Sequence, residues 1–198
     1  MATFVIGMMG KKRSGKDTFA ARLIEQHGFT KVSLADPLRE MLKALNPIVE
    51  FSRSFGGGYV NLIDVLGPED NWEAAKELPE VRRLMQRIGT EAGRNVLGDS
   101  IWTDAAQRTI RDIDGPVVIT DVRFPNEYAL VEDVLDGWTV RISRPSLPVG
   151  ADLHISETAL DDTYPRYEIV NDSTIADLHK AADLVVDDAL HDGRLGDI

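Results

Sequence analysis

The chain has no cysteine among its 198 residues. Disulfides and thiolate metal sites are therefore excluded, and the absence fits a reducing, cytoplasmic setting. No apolar run approaches the ~20 residues that span a bilayer, so no membrane partner is expected. The N-terminus reads as a strand entering a loop, not as a cleavable signal. Basic charge is also scarce: 22 Lys and Arg stand against 33 Asp and Glu, a formal net charge of −11. A protein that neutralises a nucleic-acid backbone shows the opposite balance, so no nucleic-acid polymer is expected. There is no internal repeat and no low-complexity tract. The hydrophobic share of 43% is that of an ordinary globular chain, expected to form one domain over residues 1–198.

The basic residues that are present cluster in sequence: Lys11, Lys12, Arg13 and Lys16; Arg82, Arg83, Arg87 and Arg94; Arg141 and Arg144. An acidic body with such islands suits small phosphorylated ligands. The first island carries the chain's most informative stretch, Gly10-Lys11-Lys12-Arg13-Ser14-Gly15-Lys16-Asp17-Thr18. It follows the apolar Phe4-Val5-Ile6 and precedes a helical pattern, which is the setting of a phosphate-binding loop. Gly10 and Gly15 can take the positive φ that turns backbone N–H groups inward. The helix adds its free N–H groups and the positive end of its dipole. Lys16 can place an ammonium on β- and γ-phosphate oxygens, and Thr18 can offer a hydroxyl toward Mg²⁺ or its waters. Asp17 stands where the strict pattern has Ser or Thr.

The periodicity predicts strands at Thr3 to Met8, Thr30 to Leu34, Pro116 to Asp121, Trp138 to Ile142 and Tyr167 to Val170. Helices are expected at Ser14 to Gln26, from Asp36 (N-cap) and Pro37 to Leu45, at Trp72 to Leu78, Pro79 to Leu97, Asp99 or Ser100 to about Ile113, Pro125 to Leu135 and Ser173 to Leu190. Leu38, Met41, Leu42 and Leu45 form the stripe of the Asp36 helix. Gly89 and Gly93 weaken their helix or admit a close neighbour. Between Ile48 and Asn71 the signal is poor, with Gly56-Gly57-Gly58 marking a flexible loop and room for a homodimer contact. Alternating strands and helices imply an α/β fold, a parallel sheet of about five strands with helices on both faces. Its ligands are expected beyond the carboxyl ends of the strands.

Asp121 ends the clearest central strand, where a carboxylate orients Mg²⁺ through waters or caps the helix ahead of Pro125. Arg123 can clamp a phosphate or form a surface ion pair. Ser33-x-x-Asp36-x-Leu38-Arg39 resembles the acceptor region of adenylate kinase-like enzymes. That resemblance implies phosphate binding by Arg39, whose bland alternative is a solvated helix face.

A more specific likeness covers the chain from end to end. Lys12 to Thr18, Ala35-Asp36-Pro37-Leu38, Thr120-Asp121-Val122-Arg123-Phe124-Pro125-Asn126-Glu127, and His154-Ile155-Ser156-Glu157 with Ala159-Leu160 together resemble the bacteriophage deoxynucleoside monophosphate kinases. In that family Lys-Asp-Thr after the glycine is usual. The resemblance implies a P-loop NTPase fold in three α/β/α layers with a mobile lid. It places an acceptor-nucleotide region at about 36–105 and the lid at about 144–162. The implied reaction is ATP-dependent, Mg²⁺-assisted, in-line phosphoryl transfer to a deoxynucleoside monophosphate. Lys16 and the loop residues Gly10, Lys12, Arg13, Ser14 and Gly15 would hold ATP, while Thr18, Asp17 and Asp121 arrange Mg²⁺. Ser33, Asp36, Arg39, Gln86, Arg87, Gly89, Thr90, Arg94 and Trp102 would border the acceptor, with Arg39, Arg123 and Arg94 on its phosphate. Gln86 can bond a base edge, and Trp102 either stacks on a base or is a core aromatic. Arg144 would arrive with the lid, whereas Arg141 is expected to face outward from its strand. His154 and Glu157 resemble lid residues more than proton-transfer groups. Asn171 opens a loop that in related kinases meets the adenine of ATP through backbone groups, or simply caps the last helix. Two competitors remain: a kinase for phosphomevalonate or dephospho-coenzyme A, and a nucleotide-binding switch. Trp102 with Gln86 favours a base over an isoprenoid.

Overall fold

The first strand decides the layering. In the computed structural model, which describes residues 3–51, 57–146 and 159–195, β1 (Val5–Met9) is buried at every position. Phe4, Ile6 and Met8 enter one core, whereas Val5 and Met9 enter another. That alternation is the mark of a strand covered on both faces. After it come α1 (Lys16–His27), β2 (Thr30–Val32), α2 (Asp36–Leu45), β3 (Ile48–Phe51), β4 (Gly58–Asn61), α3 (Leu62–Leu66) and α4 (Trp72–Ala75). The chain continues through α5 (Pro79–Gln86, extended as a π-helix over Arg87–Leu97), α6 (Ile101–Arg111) and β5 (Val117–Ile119). Last are α7 (Pro125–Ala129, with a π-helical end at Leu130–Val134), β6 (Trp138–Ser143), β7 (Tyr167–Val170) and α8 (Ile175–His191).

The chain divides into two compact units, one of Met1–Leu34 with Thr103–Ile198 and one of Ala35–Trp102. In the first, five strands form a sheet in the order β2-β5-β1-β6-β7, and every pairing is parallel. Phe19, Ala20 and Leu23 of α1 pack with Leu178, Ala182, Val185 and Val186 of α8 on one face. Ala106 and Ile110 of α6, with Leu130 and Val131, cover the other. This is a three-layer α/β/α sandwich, as the strand–helix alternation predicts. No helix among the described residues is long and apolar enough to cross a membrane.

The second unit has its own core of Leu38, Leu42, Val49, Leu62, Leu66, Trp72, Ala75, Val81 and Trp102. The stretch with a poor sequence signal holds an antiparallel hairpin, β3 on β4, running into α3. Residues 52–56, including Gly56 of the expected loop, lie outside the described residues. Three local expectations are corrected. Ala35, not Asp36, is the N-cap of α2, and the Asp36 carboxylate accepts from Arg39 Nη1 (2.7 Å) within the first turn of the helix. The apolar stripe of α2 buries only Leu38 and Leu42, leaving Met41 and Leu45 exposed. The helix from Pro79 is α-helical only to Gln86. Beyond it the helix takes π geometry, and within that stretch Trp102 Nε1 donates to the Gly89 carbonyl (2.8 Å).

Candidate active site

The loop from Gly10 to Gly15 curls through three positive φ angles: 128° at Gly10, 67° at Arg13 and 110° at Gly15. Arginine pays a steric penalty in the left-handed region, so the curl is imposed by the loop's surroundings. A Cβ on Gly10 would overlap the Ile142 carbonyl oxygen of β6, which makes glycine a packing requirement there. Lys16 opens α1 and folds back, with Nζ donating to the carbonyls of Gly10 (2.5 Å) and Lys11 (2.8 Å). Ser14 is 1% exposed, and its Oγ has no hydrogen-bond partner among the described residues. A buried hydroxyl left over at the base of a lysine-bearing loop suits a phosphate oxygen. Lys11, Lys12, Arg13 and Asp17 are exposed, and Thr18 is half-buried.

Beside this loop, at the same carboxyl edge of the sheet, stands Asp121. Val122 N–H donates to the Met8 carbonyl (3.2 Å) and so ties the end of β5 to that of β1. Asp121 Oδ2 accepts from Ser33 Oγ (2.7 Å) and Oδ1 from the Leu34 N–H (2.8 Å). These bonds orient the carboxylate and give buried Ser33 a bracing role that spacing alone did not disclose. Arg123 is exposed, and its backbone is held by Glu127, whose Oε2 accepts from the N–H groups of Arg123 (2.7 Å) and Phe124 (3.1 Å). Glu127 is buried and was absent from the sequence-derived site. Its position three residues after Phe124 is half of a capping box, the signal that could have found it.

In the Ala35–Trp102 unit, Arg39 is half-buried; its Nη1 is on Asp36, while its Nε is buried with no partner among the described residues. Gln86, Arg87 and Thr90 are exposed, with Arg87 Nε on Glu91 (3.1 Å). Arg94 Nη1 reaches the Asp99 carbonyl (3.5 Å). Trp102 is packed, not presented. It is 5% exposed, its N–H is on Gly89, and a Cβ on Gly93 would overlap its ring. The core-aromatic alternative therefore replaces the base-stacking one.

Two further expectations change. Arg141 does not face outward: its Nη2 clasps the Leu160 carbonyl (2.6 Å), the Thr163 carbonyl (3.0 Å) and Thr163 Oγ1 (2.8 Å). The chain returning toward β7 supplies those acceptors. Asn171 meets the loop with its side chain, Nδ2 donating to the Ser14 carbonyl (2.8 Å), while Thr174 caps α8. Arg144 is exposed with Nε on Ser146 Oγ (3.3 Å). His154 and Glu157, and most of the expected lid, lie outside the described residues. Behind the loop, Asp183 on α8 takes Arg22 Nε (2.8 Å) and Nη2 (2.9 Å) and His27 Nε2 (2.8 Å) from α1. The Arg22 hydrogen bond is the main reason that its carboxyl is held down at about 2.

Comparison with known proteins follows the same lines. A sequence profile of the family described as deoxynucleotide monophosphate kinase matches residues 4–75 and 59–182. A provisionally named deoxynucleotide monophosphate kinase of Acanthamoeba polyphaga mimivirus is 33% identical over 199 residues, covering 93% of this chain and 97% of that protein. The deoxynucleoside-5'-monophosphate kinase of Escherichia phage T5 is 34% identical over 97 residues, 46% of this chain and 38% of that protein. Among solved structures, TT1252 from Thermus thermophilus is 16% identical, with a TM-score of 0.49, over 95% of this chain and 98% of that one.

Proposed function

From the premise that the chain belongs to the deoxynucleotide monophosphate kinase family, we infer that it is a phosphotransferase catalysing ATP + dNMP → ADP + dNDP. An oxygen of the acceptor monophosphate forms a bond to the γ-phosphorus as the bond from that phosphorus to the β–γ bridging oxygen breaks, leaving ADP. The observation that carries this reading is the curled loop with Lys16 at its rim and an unpartnered buried hydroxyl, Ser14 Oγ, at its base.

Lys16 exchanges the carbonyls of Gly10 and Lys11 for β- and γ-phosphate oxygens and offsets their charge. The backbone from Gly10 to Gly15, with Lys12, Arg13 and Ser14, cradles the same phosphates. Thr18, Asp17 and Asp121 supply hydroxyl and carboxylate oxygens, the hard donors that fit Mg²⁺ and its waters. Asp121 is pre-oriented for this by Ser33 and Leu34. Bound Mg²⁺ supplies charge neutralisation at the phosphates. Arg39 and Arg94 are assigned to the acceptor phosphate, together with Arg123, and Asp36 aligns Arg39. Gln86, Arg87 and Thr90 are assigned to the acceptor nucleotide. Arg144 is assigned a charge contribution at the transferring phosphate. Phosphate oxygens are already nucleophilic, so positioning and electrostatics carry the catalysis and no general base is required.

The test is ADP formation from ATP against dAMP, dGMP, dCMP, dTMP and their ribose forms, with phosphomevalonate and dephospho-coenzyme A as controls. Turnover with one or several deoxynucleotides is expected. Turnover with a control acceptor alone would overturn the acceptor assignment, and tight ATP binding without acceptor-dependent turnover would point to a switch.

A further inference from the structure

Asn171 directly follows β7 and is tied down twice. Its N–H donates to the Ser143 carbonyl at the end of β6 (2.7 Å). Its side-chain amide donates to the carbonyl of Ser14, 157 positions earlier. Neither turn chemistry nor helix capping accounts for the second bond, because Thr174 and Asp177 cap α8 between themselves. The loop is shaped to receive it: a Cβ on Gly15 would overlap Asn171 Nδ2 and lie 3.1 Å from Leu178 Cδ2.

The peptide plane turns this contact into a functional statement. The Ser14 carbonyl and the Gly15 N–H belong to one planar unit, and no cis peptide occurs among the described residues. In a trans peptide the two groups point to opposite sides. Holding the Ser14 oxygen on Asn171 therefore aims the Gly15 N–H away from Asn171. Glycine accepts either sign of φ at little cost, so at Gly15 this plane is free to flip unless something outside the loop holds it.

We propose that Asn171 is a positioning residue for the phosphate loop, whose amide locks the Ser14–Gly15 peptide so that the Gly15 N–H is presented to the phosphates of the bound nucleotide. The proposal rests on the phosphate-loop reading above. It has Asn171 act on phosphate binding from behind the loop, where a loop meeting adenine through backbone groups would have it act on base binding.

Inorganic tripolyphosphate carries the phosphates without the base, so it separates the two roles. Calorimetric titration of ATP and of tripolyphosphate into the wild type, Asn171→Ala and Asn171→Asp reads the effect. In Asn171→Ala both ligands weaken by the same factor, about three- to tenfold for one orienting hydrogen bond. In Asn171→Asp both weaken further, because the carboxylate does not donate and adds like charge. KM for ATP rises, while KM for the acceptor stays near wild type. Loss of ATP affinity with tripolyphosphate affinity retained would overturn the proposal, as would unchanged affinity for both or a wild type that binds no tripolyphosphate. If one variant fails to fold, the ratio of the two affinities in the other still decides. Tripolyphosphate needs no acceptor, so a wrong acceptor assignment shows in the turnover panel and leaves this measurement unaffected.

Discussion

Lys16 holds the charge on which the chemistry turns, and its Nζ donates to the carbonyls of two exposed loop residues, Gly10 and Lys11. Losing those bonds affects folding little, because exposed carbonyls are readily rehydrated. Losing a preorganised cation at the transferring phosphate costs about 10²–10³ in rate. Lys16→Ala is therefore expected to cut kcat by about that factor while its thermal midpoint stays within about 2 °C of wild type, checked by coupled assay and thermal melt. Retained turnover would sink the phosphate-loop assignment. At this scale the loop was legible, because glycine spacing and a lysine state a backbone requirement directly. Trp102 was not: an aromatic beside polar residues suits a base or a core equally, and only the Gly89 carbonyl on its N–H settles the matter. Asn171 was placed near the nucleotide, but its partner Ser14 is too distant in sequence for any local pattern to reveal.

Elements explain where pattern reading goes astray. Gly89 and Gly93 were expected to weaken their helix or admit a close neighbour; the Trp102 ring lies where a Cβ on Gly93 would stand, and Leu38 Cδ1 is 3.0 Å from where one on Gly89 would be. The π geometry of Arg87–Leu97 was not legible, since a π turn differs from an α turn in its hydrogen-bond spacing and not in a marker residue. Gly93→Ala would press a methyl group into the indole ring. Overpacking of this kind costs about 1–3 kcal/mol, and the expected fall in midpoint is about 2–10 °C, measured by differential scanning fluorimetry. On the sheet's other helices, Asp183 clips α8 to α1 through Arg22 and His27, with Glu25 also near Arg22. Its carboxyl sits at about 2 in the fold against an ordinary 3.8. A depressed carboxyl stabilises the fold above its unfolded pKa and loses that contribution as pH falls through its folded pKa. The midpoint gap between wild type and Asp183→Asn is thus expected to be open above about pH 4 and to close toward pH 2. A gap that persists at pH 2 would assign the difference to packing.

At the scale of the whole molecule, strand–helix alternation was enough to predict the layered sheet, because a buried parallel strand must be apolar on both faces, as Val117-Val118-Ile119 are. It did not reveal that residues 35–102 form a compact unit with their own core, since the hairpin at Ile48 and Tyr59 carries exposed apolar residues that obscure the alternation. The two units allow the proposed division of labour to be tested without any substitution. If Lys16 and its loop hold ATP while Arg39, Gln86, Arg87, Thr90 and Arg94 hold the acceptor, each ligand stabilises chiefly the unit that binds it. Hydrogen exchange read by mass spectrometry is then expected to slow in peptides spanning residues 10–18 when ADP is added alone, and within 35–102 when the accepted dNMP is added alone. At about a hundredfold excess over Kd, linkage adds about 2.7 kcal/mol to the bound form, enough to slow exchange from globally opening amides by about a hundredfold. Protection of residues 10–18 by the dNMP alone, with 35–102 unaffected, would reverse the assignment and place the monophosphate on Lys16.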